Sequence, residues 1–100
     1  MKVKPGKGNE FARMFERDIA SSSVKLKGLR RLYLLRSVKK EDDFVVLSLW
    51  DSEEDASRYA SGGQFSRNAT KLAKFLTTKQ RVSKFSVEVH GVGESFNLDK

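Results

Sequence analysis

The sequence predicts one α+β domain of ferredoxin-like topology, a βαββαβ order with an antiparallel sheet and helices on one of its faces. Three observations predict it. The length of 100 residues suits a single compact domain, and 38% of the residues are hydrophobic, which is enough for a core. Apolar residues recur at helical spacing in separate stretches. Runs typical of strands lie between these stretches and after them.

The first helix is predicted between a turn and a run of serines. A short strand over residues 1–4 precedes the turn residues 5–8. Asn9 suits the N-cap, and the serines at 21–23 lower the helical propensity, so the regular part ends or frays there. The residues on one stripe of this helix are Phe11, Met14, Phe15 and Ile19.

A hairpin is predicted after Gly28, which marks the start of a strand over residues 29–37. The polar turn at 39–43 leads into a second strand over residues 44–50. This second strand is apolar on both faces, since Val45, Leu47 and Leu49 alternate with Phe44, Val46, Ser48 and Trp50. The helices of one chain cover only one face of a sheet. The sequence therefore predicts a homodimer in which the second face packs on the same face of another copy across a two-fold axis.

The remaining elements are two helices and a last strand. Asp51 is expected to cap the second helix, which begins at Ser52, and the acidic residues that follow suit the positive end of a helix dipole. Residues 61–63 interrupt this helix, and a third helix follows with the stripe Phe65, Ala69, Leu72 and Leu76. Alternation predicts a strand over residues 85–89, and residues 91–100 are interpreted as a tail or a dimer-exchange arm.

Composition excludes several classes of function. The chain has no cysteine, which removes disulfides, thiolate metal sites and thiol nucleophiles, and no apolar run approaches the roughly 20 residues of a membrane span. The N-terminal residues lack the apolar stretch of a secretory signal, so a cytoplasmic location is expected. The net charge of +7 divides into +9 over residues 1–40, −6 over 41–60 and +4 over 61–100. Helix capping explains the acidic block, and no metal site is expected there.

Several segments resemble the antibiotic-biosynthesis monooxygenase (ABM) domain family. They are Lys4-Pro5-Gly6-Lys7 with Glu10-Phe11, Lys27-Gly28-Leu29, and Leu49-Trp50-Asp51-Ser52-Glu53-Glu54-Asp55-Ala56 followed by Tyr59 and Phe65. The resemblance covers most of residues 3–90 and implies a dimeric α+β barrel. The family includes cofactor-free oxygenases of aromatic polyketides, haem-degrading enzymes and quinol oxygenases, so the resemblance is more specific for fold than for reaction.

The match to individual branches is partial. The haem-degrading branch places a Trp in helix two and a His ligand in helix three, and these positions are Tyr59 and Ala69 here. Haem is therefore not expected, and the resemblance to the cofactor-free oxygenases implies no other cofactor. In the polyketide-oxygenase branch a Trp at the substrate pocket matches Trp50, whereas its companion Asn and Tyr fall on Val46 and Ala56.

The resemblance implies a cofactor-independent monooxygenase that acts on a small aromatic, quinol-like or anthrone-like substrate in a pocket between the sheet and the helices of a homodimer. Trp50 and Tyr59 would stack on the ring and hydrogen-bond to it, and Arg30 or His90 would stabilise an enolate or take a proton. The catalytic candidates are Trp50, Tyr59 and His90, and the substrate-binding candidates are Tyr33, Arg30 and Phe65.

Two other interpretations stay open. Trp50 and Tyr59 equally suit helix-to-sheet packing, and a lone His90 suits an ordinary surface role, as in a non-catalytic dimeric protein that binds a small apolar metabolite or is structural. Nucleic-acid binding would use the basic residues Lys25, Lys27, Arg30, Arg31 and Arg36. Aromatic residues do not alternate with these cations beyond Tyr33, so nucleic acid is not the expected partner.

Overall fold

The computed structural model describes residues 1–93. Helix α1 covers residues 8–23 as an α-helical Gly8–Met14, a π-helical Phe15–Ala20 and a last turn at Ser21–Ser23. The hairpin strands are β1 (Leu29–Arg36) and β2 (Phe44–Trp50), and helices α2 (Glu53–Ala60) and α3 (Gly63–Ala73) follow. This arrangement confirms the predicted α+β class and is consistent with the ferredoxin-like fold.

Helix α1 supplies most of the core. The Phe11 ring is fully buried, and its centroid lies 5.0 Å from that of Phe44, edge-on, and 5.6 Å from that of Phe75. Phe15, Ile19 and Ser23 are also buried and recur every four residues, a spacing wider than the 3.6 of an α-helix. The π-helical segment accommodates this spacing and keeps one side of α1 against the sheet.

The start of α1 differs from the prediction, because Asn9 is not its N-cap. The helix begins at Gly8, and the Asn9 Oδ1 accepts a hydrogen bond of 2.9 Å from Arg36 Nη1. The Arg36 guanidinium also lies 5.0 Å above the Phe44 ring and fills the space beside Gly8. Asn9 therefore connects α1 to the hairpin and does not cap the helix.

The hairpin register separates two faces of the sheet. Phe44, Val46 and Ser48 of β2 pair with Arg36, Leu34 and Leu32 on the side that faces the helices. On the outer side, Tyr33 pairs with Leu47 and Leu35 with Val45. These four outer side chains are 36–56% exposed. The apolar outer face predicted from the sequence is therefore present and is uncovered in one chain.

Two short segments extend the sheet beyond β2. Val3 N donates to Asp42 O and Phe44 N donates to Met1 O, which places the N-terminal residues beside the start of β2. Lys4 N donates to Phe75 O and Thr77 N to Lys2 O. These contacts place the N-terminal segment between the start of β2 and the segment after α3, beside a sheet whose two strands are β1 and β2. The bridges at Lys2 and Val3 are isolated ones, so the predicted strand over residues 1–4 is only a short segment.

The cap of α2 lies one residue later than predicted. Ser52 has extended backbone, and its Oγ accepts a hydrogen bond of 3.1 Å from Asp55 N. Asp51, the expected cap, is instead 3.4 Å from Arg30 Nε. The shorter hydroxyl at Ser52 reaches the amide three residues on, and Asp51 remains available to the cation at the start of β1.

The predicted strand over residues 85–89 is not formed. The structure shows this stretch without regular hydrogen bonding, and Phe85, Val87 and Val89 are 71–90% exposed. Alternation alone does not make a strand, since backbone groups need a neighbouring edge to pair with. Of the predicted tail or arm at 91–100, residues 94–100 lie outside the described part. None of the helices in residues 1–93 combines the length and the hydropathy of a transmembrane span.

Candidate functional site

Three aromatic side chains from different elements meet where β2 passes into the helices. The Trp50 and Tyr59 rings are stacked with centroids 5.3 Å apart and planes 30° apart. The Phe65 ring meets Tyr59 edge-on at 5.5 Å. All three side chains are half-buried. These rings form a continuous apolar surface of the kind that binds flat aromatic molecules.

Local sequence explains why these rings converge. Trp50 ends β2 on the helix-facing side, and its Nε1 donates to Ser48 Oγ at 3.0 Å. The cap at Ser52 starts α2 directly after the strand, so that one face of α2 lies beside the end of β2. Tyr59 lies on the last turn of α2, and Gly62 separates it from α3, so Phe65 is presented to the same place.

A buried asparagine, which the sequence analysis missed, completes this site. Asn68 is 3% exposed, and its Nδ2 donates to Tyr59 Oη at 2.9 Å. Its Oδ1 accepts from Gln64 Nε2 at 2.9 Å. The signal was present in the sequence, because 68 lies three residues after Phe65 and four before Leu72, on the apolar stripe of α3. A polar residue on such a stripe requires a buried partner.

The other predicted site residues lie elsewhere in the chain. Tyr33 is on the outer face of the sheet, opposite to the helix-facing Trp50. Arg30 is exposed and pairs with Asp51. His90 is exposed in the irregular stretch after α3. One chain therefore brings together Trp50, Tyr59 and Phe65, but it does not bring Tyr33, Arg30 or His90 to them.

The basic residues considered for nucleic acid do not share one face. Arg31 is on the outer face of β1, opposite to the helix-facing Arg36. Arg36 is held by Asn9 and by Glu41 O, which accepts from its Nε at 2.6 Å. Lys25 and Lys27 lie in the loop before β1. Two surface clefts lie away from the aromatic rings; one is lined by residues 2, 3, 5, 40–43 and 77, and the other by residues 69, 73 and 76–80. No group of three His, Asp or Glu side chains within residues 1–93 is placed to hold a metal ion.

Fold and sequence together define the family. The sequence profile of antibiotic biosynthesis monooxygenases matches residues 1–71, which include the hairpin, the Trp50 segment and most of α3. The chain belongs to the antibiotic biosynthesis monooxygenase family. The resemblance inferred from the Trp50 segment is thereby confirmed.

Solved structures support the same fold. A conserved protein from Methanosarcina mazei Go1 has a TM-score of 0.68 and 18% identity, and the match covers 78% of this chain and 76% of that one. A protein from Chloroflexus aurantiacus J-10-fl, named a putative antibiotic biosynthesis monooxygenase, has a TM-score of 0.66 and 16% identity over 93% of this chain and 92% of that one. No protein with a curated description matches the sequence.

Proposed function

We propose that this chain is a subunit of a homodimeric, cofactor-independent monooxygenase whose substrate is a small aromatic molecule of the quinol or anthrone class. The observation that carries the proposal is the cluster of Trp50, Tyr59 and Phe65 in a chain of this family, with a buried amide at Asn68 aimed at the Tyr59 hydroxyl. Such a site offers an apolar surface for the ring and a single polar group to orient it.

The proposed reaction on an anthrone-like substrate converts a ring CH₂ into a carbonyl. The substrate loses a proton from this carbon, and the carbanion passes one electron to dioxygen. The two radicals combine to a peroxide anion, which takes up a proton, and the O–O bond of this hydroperoxide breaks as the carbon loses its second proton. Dioxygen is thereby reduced, one oxygen atom forms the carbonyl and the other leaves as water. The protein assists by excluding water, orienting the ring and stabilising the anion.

The proposed role of each site residue follows from its position in the fold. Trp50 and Phe65 supply flat apolar contact to the substrate, and the Tyr59 hydroxyl faces its developing anionic oxygen. Trp50 cannot rotate freely, because its Nε1 is bound to Ser48 Oγ and its ring is stacked on Tyr59. Three further predicted site residues, Arg30, Tyr33 and His90, lie away from the rings in one chain. The second copy or the rest of the chain would have to bring them near the rings.

The homodimer is part of the proposal. Tyr33, Leu35, Val45 and Leu47 form one apolar patch on the outer face of the hairpin, with 36–56% of each side chain exposed. A soluble chain rarely leaves such a patch uncovered, and a patch related to itself by a two-fold axis covers two copies at once. In such a dimer each copy would keep its own ring cluster on the helix-facing side of its sheet.

Oxygen uptake with a panel of anthrones and hydroquinones tests this proposal. We expect wild-type protein to raise the rate above that of buffer alone. Trp50→Phe should lower kcat/KM by about tenfold or more, because the smaller ring loses both the stacking area and the hydrogen bond to Ser48. The matched control is Val38→Ser, at a fully exposed position in the turn between the strands.

The control should keep wild-type turnover, and circular dichroism should show the same fold for both variants. Turnover that is unchanged in Trp50→Phe would remove Trp50 from the site. An uptake rate equal to that of buffer with every compound would contradict the monooxygenase proposal.

A second candidate is a dimeric binding protein that does not catalyse. The positions of Arg30 and His90 favour it, because both are exposed and away from the rings and so bring no cation or base to the cluster. This candidate predicts saturable binding of an aromatic ligand, seen as quenching of the sole tryptophan, without consumption of oxygen.

A further inference from the structure

Hydrogen bonds along α3 form a chain that ends at the Tyr59 hydroxyl. Arg67 Nη2 donates to Gln64 Oε1 at 3.1 Å, and Gln64 Nε2 donates to Asn68 Oδ1 at 2.9 Å. Asn68 Nδ2 donates in turn to Tyr59 Oη at 2.9 Å. Helical spacing of three and four residues places the first three side chains next to one another. All three bonds therefore point in one direction, from Arg67 toward Tyr59.

Arg67 fixes this direction. A guanidinium group only donates, so Gln64 must meet it with its carbonyl oxygen and must turn its NH₂ toward Asn68. Asn68 then meets Gln64 with Oδ1, and its own NH₂ faces Tyr59. The Tyr59 oxygen is an acceptor in this bond, which leaves its proton for another acceptor. In the part of the chain that the structure describes, the Tyr59 hydroxyl donates to no protein atom.

The residues around Tyr59 strengthen its hydroxyl as a hydrogen-bond donor. A hydrogen bond donated to a hydroxyl oxygen makes its O–H a better donor, and this chain begins at a full positive charge. Asn68 is 3% exposed, so water does not compete for its amide. Gly63 leaves room for the guanidinium, since a Cβ there would lie 3.1 Å from Arg67 Nη1.

We propose that Arg67, Gln64 and Asn68 are positioning residues that hold Tyr59 as a hydrogen-bond donor toward the ligand. The expected ligands are then not all aromatic molecules but those that present an acceptor oxygen to Tyr59. The carbonyl of a quinone and the anionic oxygen of an enolate are acceptors of this kind. This inference rests on the proposed function in taking the ring cluster as the binding site.

Calorimetric titration with two flat probes of similar size tests it. Naphthalene has no polar group, whereas 1,4-naphthoquinone has acceptor oxygens only. We expect wild-type protein to bind naphthoquinone about tenfold more tightly, the effect of one good hydrogen bond. In Gln64→Glu, the carboxylate accepts from both Arg67 and Asn68, so Asn68 turns its Oδ1 toward Tyr59. The Tyr59 proton is then engaged, and the preference should fall below about threefold.

Gln64 does not contact Tyr59 in this chain of hydrogen bonds. If Gln64 only stabilised the fold, its substitution would therefore leave the ratio of the two binding affinities unchanged. The matched control is Ala73→Glu, which adds the same charge at an exposed position on α3, six residues from Arg67, and should keep the wild-type ratio. Asn68→Asp places the acceptor directly against Tyr59 and should give the same loss as Gln64→Glu.

Three results would overturn the inference, and they separate it from the proposed function. Equal binding of the two probes by wild-type protein, or a wild-type ratio in Gln64→Glu, rejects the donor role while the aromatic site stands. Binding of neither probe rejects the aromatic site itself, and the donor role with it.

Discussion

Asp18 receives two hydrogen bonds from its neighbour Arg17 on α1. Arg17 Nε and Nη2 lie 2.9 Å from the two carboxylate oxygens. This hydrogen bonding lowers the pKa of Asp18 below its ordinary value; partial burial opposes it, and the charges of Arg17 and Lys71 add to it. The same pair raises the pKa of Arg17. A carboxyl group whose pKa is lower in the folded state stabilises the fold above its unfolded pKa, and this contribution disappears as the pH falls through the folded pKa.

The titration of Asp18 is therefore predicted to depend on Arg17. In Arg17→Gln, the pKa of Asp18 should rise toward its ordinary value, because the charged donor is lost. Arg13→Gln, at an exposed position on the same helix, is the control and should leave Asp18 unchanged. Carboxyl-carbon NMR over the acid range measures both, and equal titration of Asp18 in wild type and Arg17→Gln would contradict the assignment.

Individual site residues were predictable only in part. Trp50, Tyr59 and Phe65 were chosen from the family resemblance, and the fold brings them together. Asn68 was missed because the sequence shows a polar residue on an apolar stripe but not the partner that satisfies it. Tyr33 was predicted in the site, although side chains alternate between the two faces along a strand. This alternation puts Tyr33 on the opposite face from Trp50.

At the scale of the elements, Gly28 joins the hairpin to α2. Its φ of +84° lies in the left-handed region, and an added Cβ would lie 2.6 Å from Asp55 Cβ. Asp51 N donates to Gly28 O at 2.7 Å, so the backbone there also holds the end of β2. Glycine is thus required here both by conformation and by space.

Gly28→Ala is predicted to be more destabilising than Gly6→Ala. Gly6 has a φ of +77° but open space around its Cα, so its substitution brings only backbone strain, about 1 kcal/mol. Gly28→Ala adds the collision with Asp55, for a total of about 2–3 kcal/mol. Urea unfolding followed by Trp50 fluorescence, at one protein concentration, measures both; equal losses would contradict a close approach at Gly28.

The elements themselves followed well from the sequence where their signals are local. Helix stripes and the polar turn of the hairpin depend on neighbours in the chain, and α1, β1, β2, α2 and α3 were all predicted. The strand predicted over residues 85–89 is not formed, because a strand is stabilised by a partner edge that no local pattern specifies. The cap at Ser52 was missed by one residue, since Asp51 and Ser52 both suit that position.

At the scale of the whole molecule, the sheet has one face buried under α1 and one apolar face left open. Phe44 on the inner face is 2% exposed, whereas its neighbour Val45 on the outer face is 56% exposed. We propose that a second copy of the chain covers the outer face, so that the functional unit contains two aromatic sites. The sequence indicated this from the two-sided pattern of β2 alone.

Sedimentation velocity at micromolar concentration tests this claim most directly. Wild-type protein should sediment with twice the mass of one chain. Leu47→Lys, which places a charge at the centre of the outer face, should sediment as a single chain, because a buried unpaired lysine opposes association. Val38→Lys, at a fully exposed turn position, should behave as wild type. Wild-type protein that sediments as one chain, or a Leu47→Lys variant that retains the double mass, would contradict the claim.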